Sequence, residues 1–327
     1  MKTSLWKLPK GLLCLGLGVG LSLPLVGAKA AYPEPNKRLK VIVPWDAGGG
    51  VDLSMRFIQR GLEEALGIPV DIENLPGGGS QAGLIRCSLA RPDGYTLCAT
   101  ALPSTNMTYL LPERKAPYKR ASFVPVGTYA IEFGSLVVAK DSPYQSVADV
   151  IKAAKKNPGN IRVGNAGRNT NAHIDLLQLE KVADVKFAPV YFSGGTTGVT
   201  ALIGGHIDAL SSTPSNYMGQ YKTEDVRVLG IMSDEPSKLL PNVPTFASQG
   251  LTLNQFTTRT LAFQEGVDKE KVAIVEQALE QVIKDADIGK RLADLGTQLR
   301  WMNSTETSEF WEQLDKDLVK LTTADVK

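Results

Sequence analysis

Residues 39–52 read Leu39-Lys40-Val41-Ile42-Val43-Pro44-Trp45-Asp46-Ala47-Gly48-Gly49-Gly50-Val51-Asp52, and this stretch decides the fold. Residues 39–43 are an apolar run of strand length, broken by a proline and three glycines. Over residues 52–66 apolar side chains return at helical spacing, with Leu53, Phe57, Leu62 and Leu66 expected to face the core. Strand, glycine-rich turn and helix together form the unit from which α/β sheets are wound. The first amides of a helix have no partner inside it, and the helix dipole makes that end partly positive. Glycines let a ligand come close to such amides, so the turn at residues 44–52 is a candidate anion site.

Working outward, the unit recurs. Residues 70–72 read as a strand, followed by Asn74-Leu75-Pro76-Gly77-Gly78-Gly79-Ser80 and a helix to residue 89; residues 95–100 read as a third strand ending at Thr100. A second series starts near residue 135, with strands at 136–139, 161–164, 186–190, 207–211 and 227–232. Its helices are expected at 147–156, 171–181 and from the Gly194-Gly195 turn to residue 203. A third junction, Gly164-Asn165-Ala166-Gly167-Arg168-Asn169-Thr170, precedes the second of these helices. From residue 269 onward the chain reads as amphipathic helix, with Val272, Val275, Leu279 and Val282 on one face. The expectation is α/β architecture in two lobes, each a mostly parallel sheet flanked by helices. Lobe 1 would be discontinuous, residues 31–134 and 240–327, with lobe 2, residues 135–239, inserted.

The N-terminus carries Lys2, Lys7 and Lys10, an uncharged apolar run over residues 11–26, and Ala28-Lys29-Ala30. That is the pattern of a cleaved secretory signal peptide, residues 1–30, and the run falls short of the roughly 20 residues a membrane span needs. Cys14 lies inside the run and does not read as a lipid attachment site. Cleavage near Ala30 leaves 297 residues and sends the protein to the periplasm; a chain of that length favours two lobes over one core. Loss of four lysines leaves 32 basic against 34 acidic residues. Near neutrality without a basic run implies no nucleic-acid partner and no binding to an anionic membrane surface.

Catalysis is not signalled. There is no Gly-x-Ser-x-Gly elbow, no His-Glu-x-x-His and no Walker A or complete dinucleotide fingerprint; the whole chain holds two histidines, His173 and His206. No cofactor and no metal site are expected, because Cys87 and Cys98 with those histidines offer poor zinc spacing. The two cysteines, one on an expected helix and one on the following strand, either form a disulfide or pack as two small buried residues. Asp52 reads as a helix cap or as an acceptor for a ligand amino group. Trp45 covers a pocket or plugs a surface. Arg168, the one cation at the three junctions, either pairs with a carboxylate or is a solvated loop residue. His173, inside an expected helix, reads as a packed residue and not as a ligand.

At these residues the chain resembles the substrate-binding proteins of tripartite tricarboxylate transporters, the Bug-type periplasmic receptors. The likeness runs through Tyr32-Pro33, Val43-Pro44-Trp45, Gly48-Gly49-Gly50-Val51-Asp52 with Arg56, and Glu73-Asn74-Leu75-Pro76-Gly77. It continues in Pro92-Asp93-Gly94-Tyr95-Thr96-Leu97, Asn157-Pro158-Gly159, Gly204-Gly205-His206-Ile207-Asp208 and Leu240-Pro241-Asn242-Val243-Pro244-Thr245. The chain differs from the family pattern at Arg168-Asn169-Thr170, at Tyr191-Phe192-Ser193 and at Phe263-Gln264-Glu265-Gly266. The resemblance implies a Venus-flytrap that closes on a carboxylate held by main chain and bridging water from residues 45–52 and 165–171. The ligand-binding set expected is Trp45, Gly48, Gly49, Gly50 and Asp52, then Gly77, Gly78 and Thr100, and from lobe 2 Asn165, Gly167, Arg168, Asn169, Thr170 and Asp208. The implied function is extracytoplasmic capture, by a monomer, of a di- or tricarboxylate, aromatic acid or acidic amino acid for integral membrane transporter subunits. A ligand-sensing receptor for a membrane sensor kinase has the same fold, and an exported hydrolase would need a nucleophile and base that the chain does not offer.

Overall fold

The structure, a computed structural model, describes residues 31–324. The expected signal peptide, residues 1–30, lies outside the described residues. β1 (Leu39–Val43) leads into α1 (Gly50–Leu66), β2 (Val70–Asn74) into α2 (Gln81–Ser88), and β3 (Thr96–Thr100) into the short α3 (Ser104–Leu110). β4 (Phe123–Phe133) runs through Gly134 into β5 (Ser135–Ala139). Next come α4 (Val147–Lys156), β6 (Arg162–Asn165), α5 (Asn171–Ala183), β7 (Ala188–Tyr191) and α6 (Gly195–Ile203). β8 (Ala209–Ser212), α7 (Pro214–Lys222) and β9 (Val226–Ile231) complete this part. The chain returns with β10 (Phe256–Gln264), then α8 (Lys269–Ile283), α9 (Ala286–Asp294), β11 (Gln298–Met302) and α10 (Ser304–Ala324).

Two sheets result, ordered β11-β4-β10-β3-β1-β2 and β7-β6-β8-β5-β9, and the fold is two-lobed as expected. The sheets are mixed, not mostly parallel. β1 lies parallel to β2 and β3, but β10 is antiparallel to β3 and β4, and β11 to β4. In the second sheet β6 is parallel to β7 and β8, whereas β5 is antiparallel to β8 and β9. The cause is the crossing. β10 carries the chain back out of the second lobe, so it runs against β1 and β3, whose carboxyl ends face that lobe. β5 carries the chain in and meets β8 and β9 head-on. At the crossing the Gly134 amide donates to Gln255 O (2.8 Å), the Gln255 amide to Met232 O (2.9 Å) and the Met232 amide to Gly134 O (2.8 Å). Two strands tied at one point form a hinge of few residues.

Each lobe has its own core. In the first, Val41 and Leu97 of the sheet pack with Met55, Ile58 and Leu62 of α1 and with Val275 and Leu279 of α8. The buried face of α1 is therefore turned from the expected one: Leu62 and Leu66 are buried, but Leu53 and Phe57 are only half-buried. In the second lobe α4 and α5 cover one face of the sheet, through Val150 and Leu179, while α6 and α7 cover the other, through Val199 and Tyr217. Leu240, Val243, Phe246 and Leu253 pack into these same clusters. Pairing with the first sheet resumes only at Phe256, after the expected limit at residue 240. The C-terminal run is helical as expected except where β11 adds an edge strand to β4. Cys87 of α2 and Cys98 of β3 are joined by a disulfide, the first of the two alternatives. No described helix is long and apolar enough to cross a membrane.

Candidate functional site

Between the lobes lies a cavity of about 40 Å³, room for roughly three waters. It is walled by helix beginnings. The first turn of α1 contributes Gly49, Gly50 and Val51; α5 contributes Asn171, α6 Gly194 and Gly195, and α7 Thr213 and Asn216. Four helices, one from the first lobe and three from the second, thus point their amino ends at one space. Their N-cap residues are Gly49, Thr170, Gly194 and Thr213, and none of these uses a side chain to cap its own helix. Each helix end carries roughly half a positive charge, so the wall is electropositive without a row of cations. The amides must then be satisfied from elsewhere.

Some are satisfied from the opposite lobe. The Gly50 amide donates to Asn216 Oδ1 (3.1 Å), and the Asn171 amide donates to Ser104 Oγ (2.8 Å). The Ser215 amide in the first turn of α7 donates to the Glu132 carboxylate of β4 (3.1 Å). Ser193 Oγ donates to Asp46 Oδ2 (2.7 Å) at the mouth. The lobes are therefore closed on each other, and one of the four helix ends already holds a carboxylate. The space is small in this arrangement, so a ligand larger than a carboxyl group requires the lobes to part by what its body occupies.

Of the residues expected from sequence, Trp45, Gly49 and Gly50 line the cavity. Asp52 does not. It is 1% exposed, and its carboxylate accepts from the Gly48 amide (2.8 Å), Asn74 Nδ2 (3.0 Å) and Arg56 Nε (2.9 Å). Burial pushes its pKa up, but these donors outweigh burial and hold it below the usual carboxylate range. The N-cap of α1 is Gly49, and Asp52 braces the glycine turn from inside the first helical turn. Gly48, with φ +77°, sits outside the lining.

Gly77 and Gly78 are exposed at the rim, with φ +130° and +57°. Their turn meets the second lobe where Gly79 packs on the Arg168 carbonyl. Thr100 is buried within the first sheet and donates to Thr260 O (3.2 Å). Asp208 lies at the far end of the second lobe, where it pairs with Arg162 (2.7 Å) at the start of β6. The cleft is at the other ends of these strands.

The third junction forms a self-braced loop beside the cavity. Asn165 Oδ1 accepts from the Gly167 amide (3.1 Å), Thr170 Oγ1 donates to Gly167 O (2.8 Å), and the Asn169 amide donates to His173 Nδ1 (3.1 Å). His173 is packed against Tyr191; burial, then the Arg168 charge, lower its pKa to about 4. Ala166 and Asn171 of this segment reach the cavity, but Arg168 is exposed outside the lining. Replacement of Arg168 by alanine is accordingly expected to change carboxylate affinity less than about twofold by titration calorimetry, because a solvated charge beyond the wall is well screened. A tenfold loss would place its side chain inside the closed site.

Ala101, Thr213 and Asn216 of the lining were not foreseen from the sequence, and neither were Thr257 and Arg259, the two that β10 contributes. They are buried, 2% and 3% exposed. An arginine between threonines in a short apolar context is a signal that the sequence does contain, since a buried cation requires a partner. Among the described residues no group of three or more histidine, cysteine or acidic side chains could hold a metal ion.

Known proteins share this architecture and about a quarter of the sequence over most of the chain. The "UPF0065 protein in gbd 5'region" of Cupriavidus necator is 28% identical over 293 residues, covering 89% of this chain and 88% of the relative. A solved structure described as that of a periplasmic transporter superposes with a TM-score of 0.84 at 26% identity, over 89% of this chain and 98% of its own. MatC from Rhodopseudomonas palustris, solved with bound malate, gives a TM-score of 0.81 at 25% identity, over 88% and 100%. The family and fold are those of solute-binding proteins. With residues 54–321 matching it, the chain belongs to the tripartite tricarboxylate transporter family receptors.

Proposed function

We propose that this protein is an extracytoplasmic receptor that captures a small carboxylate between its lobes and presents it to integral membrane transporter subunits, without turnover. The observation that supports this most is the convergence of four helix amino ends from both lobes on one cavity, none capped by its own N-cap side chain. Such a space favours a compact anion. The Ser215 amide holding the Glu132 carboxylate shows the same chemistry inside the molecule. The malate in the MatC structure fits this ligand class. Closure is then driven by the ligand because its carboxylate contacts both lobes only when they meet.

The test is thermal denaturation of the mature protein with a panel of di- and tricarboxylates, aromatic acids and acidic amino acids. A ligand at a hundred times its Kd stabilises by about 2.7 kcal/mol, which reads as a rise of several degrees in Tm. A panel that shifts nothing, while a neutral sugar does, would overturn the reading.

A further inference from the structure

β10 places two hydrogen-bond donors in the wall that no protein group uses. Arg259 Nε and Thr257 Oγ1 are both buried without a partner, and the two residues lie two positions apart, on the same face of the strand. Both line the cavity. Arg259 is held from behind. Its Nη2 donates to Glu132 Oε1 and to Ser215 Oγ (3.0 Å). Glu132 is in turn held by the Thr297 hydroxyl (2.9 Å) and the Ser215 amide (3.1 Å). These contacts fix the guanidinium in the cavity wall, while Nε stays without a partner.

We propose that Thr257 and Arg259 form the subsite for the far end of the ligand, and that this end carries a second carboxylate, so that the receptor selects dianions over monoanions. The inference rests on the carboxylate-capture reading above. One carboxyl group would be met by the helix ends; the other would accept from the Arg259 guanidinium and the Thr257 hydroxyl. A monoanion satisfies the helix ends and leaves two buried donors bare, and buried polar groups reject ligands that cannot pair with them. A single hydrogen bond to a charged group accounts for roughly ten- to hundredfold in affinity. The charge of Glu132 does not cancel this preference, because that carboxylate is already shared among Arg259, a hydroxyl and a helix amide. Asp46, the acid in the lining, takes the Ser193 hydroxyl on one oxygen and sits beside the Gly194 turn.

The experiment is calorimetric titration of the mature protein with straight-chain diacids of three to six carbons and with the matched monoacids. In the wild type the best diacid is expected to bind at least fiftyfold more tightly than its monoacid. Thr257→Val should weaken the diacid about tenfold and the monoacid less than twofold. A Glu132→Gln/Arg259→Met double variant removes the buried charges together, and its diacid-to-monoacid ratio should fall to about threefold. Equal losses for both acids in Thr257→Val, or a wild type that binds monoacid and diacid alike, would overturn the proposal. If the double variant fails to fold, Thr257→Val decides alone. A wild type that binds no carboxylate of any kind sinks the capture reading instead, so the two failures are distinct.

Discussion

Gly50→Ala is expected to weaken binding of any ligand that requires closure by a hundredfold or more while leaving the unliganded protein folded and about as stable. Gly50 opens α1 in an ordinary helical conformation, so alanine there is free of backbone strain and slightly favours the helix. The obstacle is across the cleft. A Cβ at this position would stand 1.9 Å from Ser215 Oγ, 2.8 Å from Ser215 Cβ and 2.9 Å from Arg259 Nη2. The hydroxyl can rotate away, but Ser215 Cβ moves only with α7. The second lobe must therefore stand off, and the contact between the Gly50 amide and Asn216 is lost with it. A hundredfold corresponds to about 2.7 kcal/mol, the scale of one or two charge-assisted hydrogen bonds stretched past use. The double variant Gly50→Ala/Ser215→Gly removes the colliding atoms of Ser215 and should recover at least tenfold, a coupling typical of residues in direct contact. Calorimetry measures the affinities, and small-angle scattering reports whether the particle still contracts with ligand. Wild-type affinity in Gly50→Ala would mean that the ligand parts the lobes at Gly50 by at least the room a methyl group needs, so that Ser215 no longer approaches it in the bound state.

The parts of the fold that could be read from the chain were those whose side chains state their surroundings. β1 is a short apolar run before a glycine-rich turn, β2 a short alternating strand before another, β3 follows a Pro-Asp-Gly turn, and α1 has strong helical periodicity. The crossing strands were not legible. β4 contains Pro125 and Gly127, which interrupt a strand pattern, and β10 begins Phe256-Thr257-Thr258-Arg259-Thr260, which reads as surface. In the structure those polar groups are interior and bind one another. Thr128 Oγ1 lies 2.7 Å from Thr260 Oγ1, and Thr258 Oγ1 lies 3.0 Å from Thr260 Oγ1 while accepting from the Leu102 amide (3.2 Å). Polarity marks exposure only when no partner is at hand, and tertiary pairing supplied the partners here. The cleft divided the same way. The glycine row at residues 48–50 brings two residues to the cavity, whereas the equal row at residues 77–79, also ahead of a helix, stays outside the lining. Arg168 drew attention by its charge, yet the cation that reaches the cavity is Arg259, whose place depends on a strand the pattern hid.

Asp175→Ala is expected to raise stability by about 2 kcal/mol at pH 7 and to remove a pH dependence that the wild type carries. Asp175 lies on α5, is 1% exposed, and neither carboxyl oxygen has a partner. Its Oδ2 would stand 2.5 Å from a Cβ at Gly134, the residue at which β4 becomes β5, with Met232 Sδ at 3.0 Å from the same point. Burial alone pushes its pKa well above the ordinary value of 3.8. The carboxyl must therefore be protonated to fold in this arrangement. A group whose folded pKa is raised contributes its full stability below the unfolded value and loses it as pH climbs toward the folded one. The wild type should thus weaken from about pH 4 upward, by up to 1.36 kcal/mol for each unit travelled. Alanine abolishes that slope and also removes an unpaired buried polar group, which by itself costs about 1–3 kcal/mol. The small cavity left offsets part of the gain. Urea denaturation of both proteins at pH 4, 5.5, 7 and 8 measures the difference, which should be smallest at pH 4 and grow with pH. A difference constant across that range would show that Asp175 folds ionised, with water or a cation reaching the hinge.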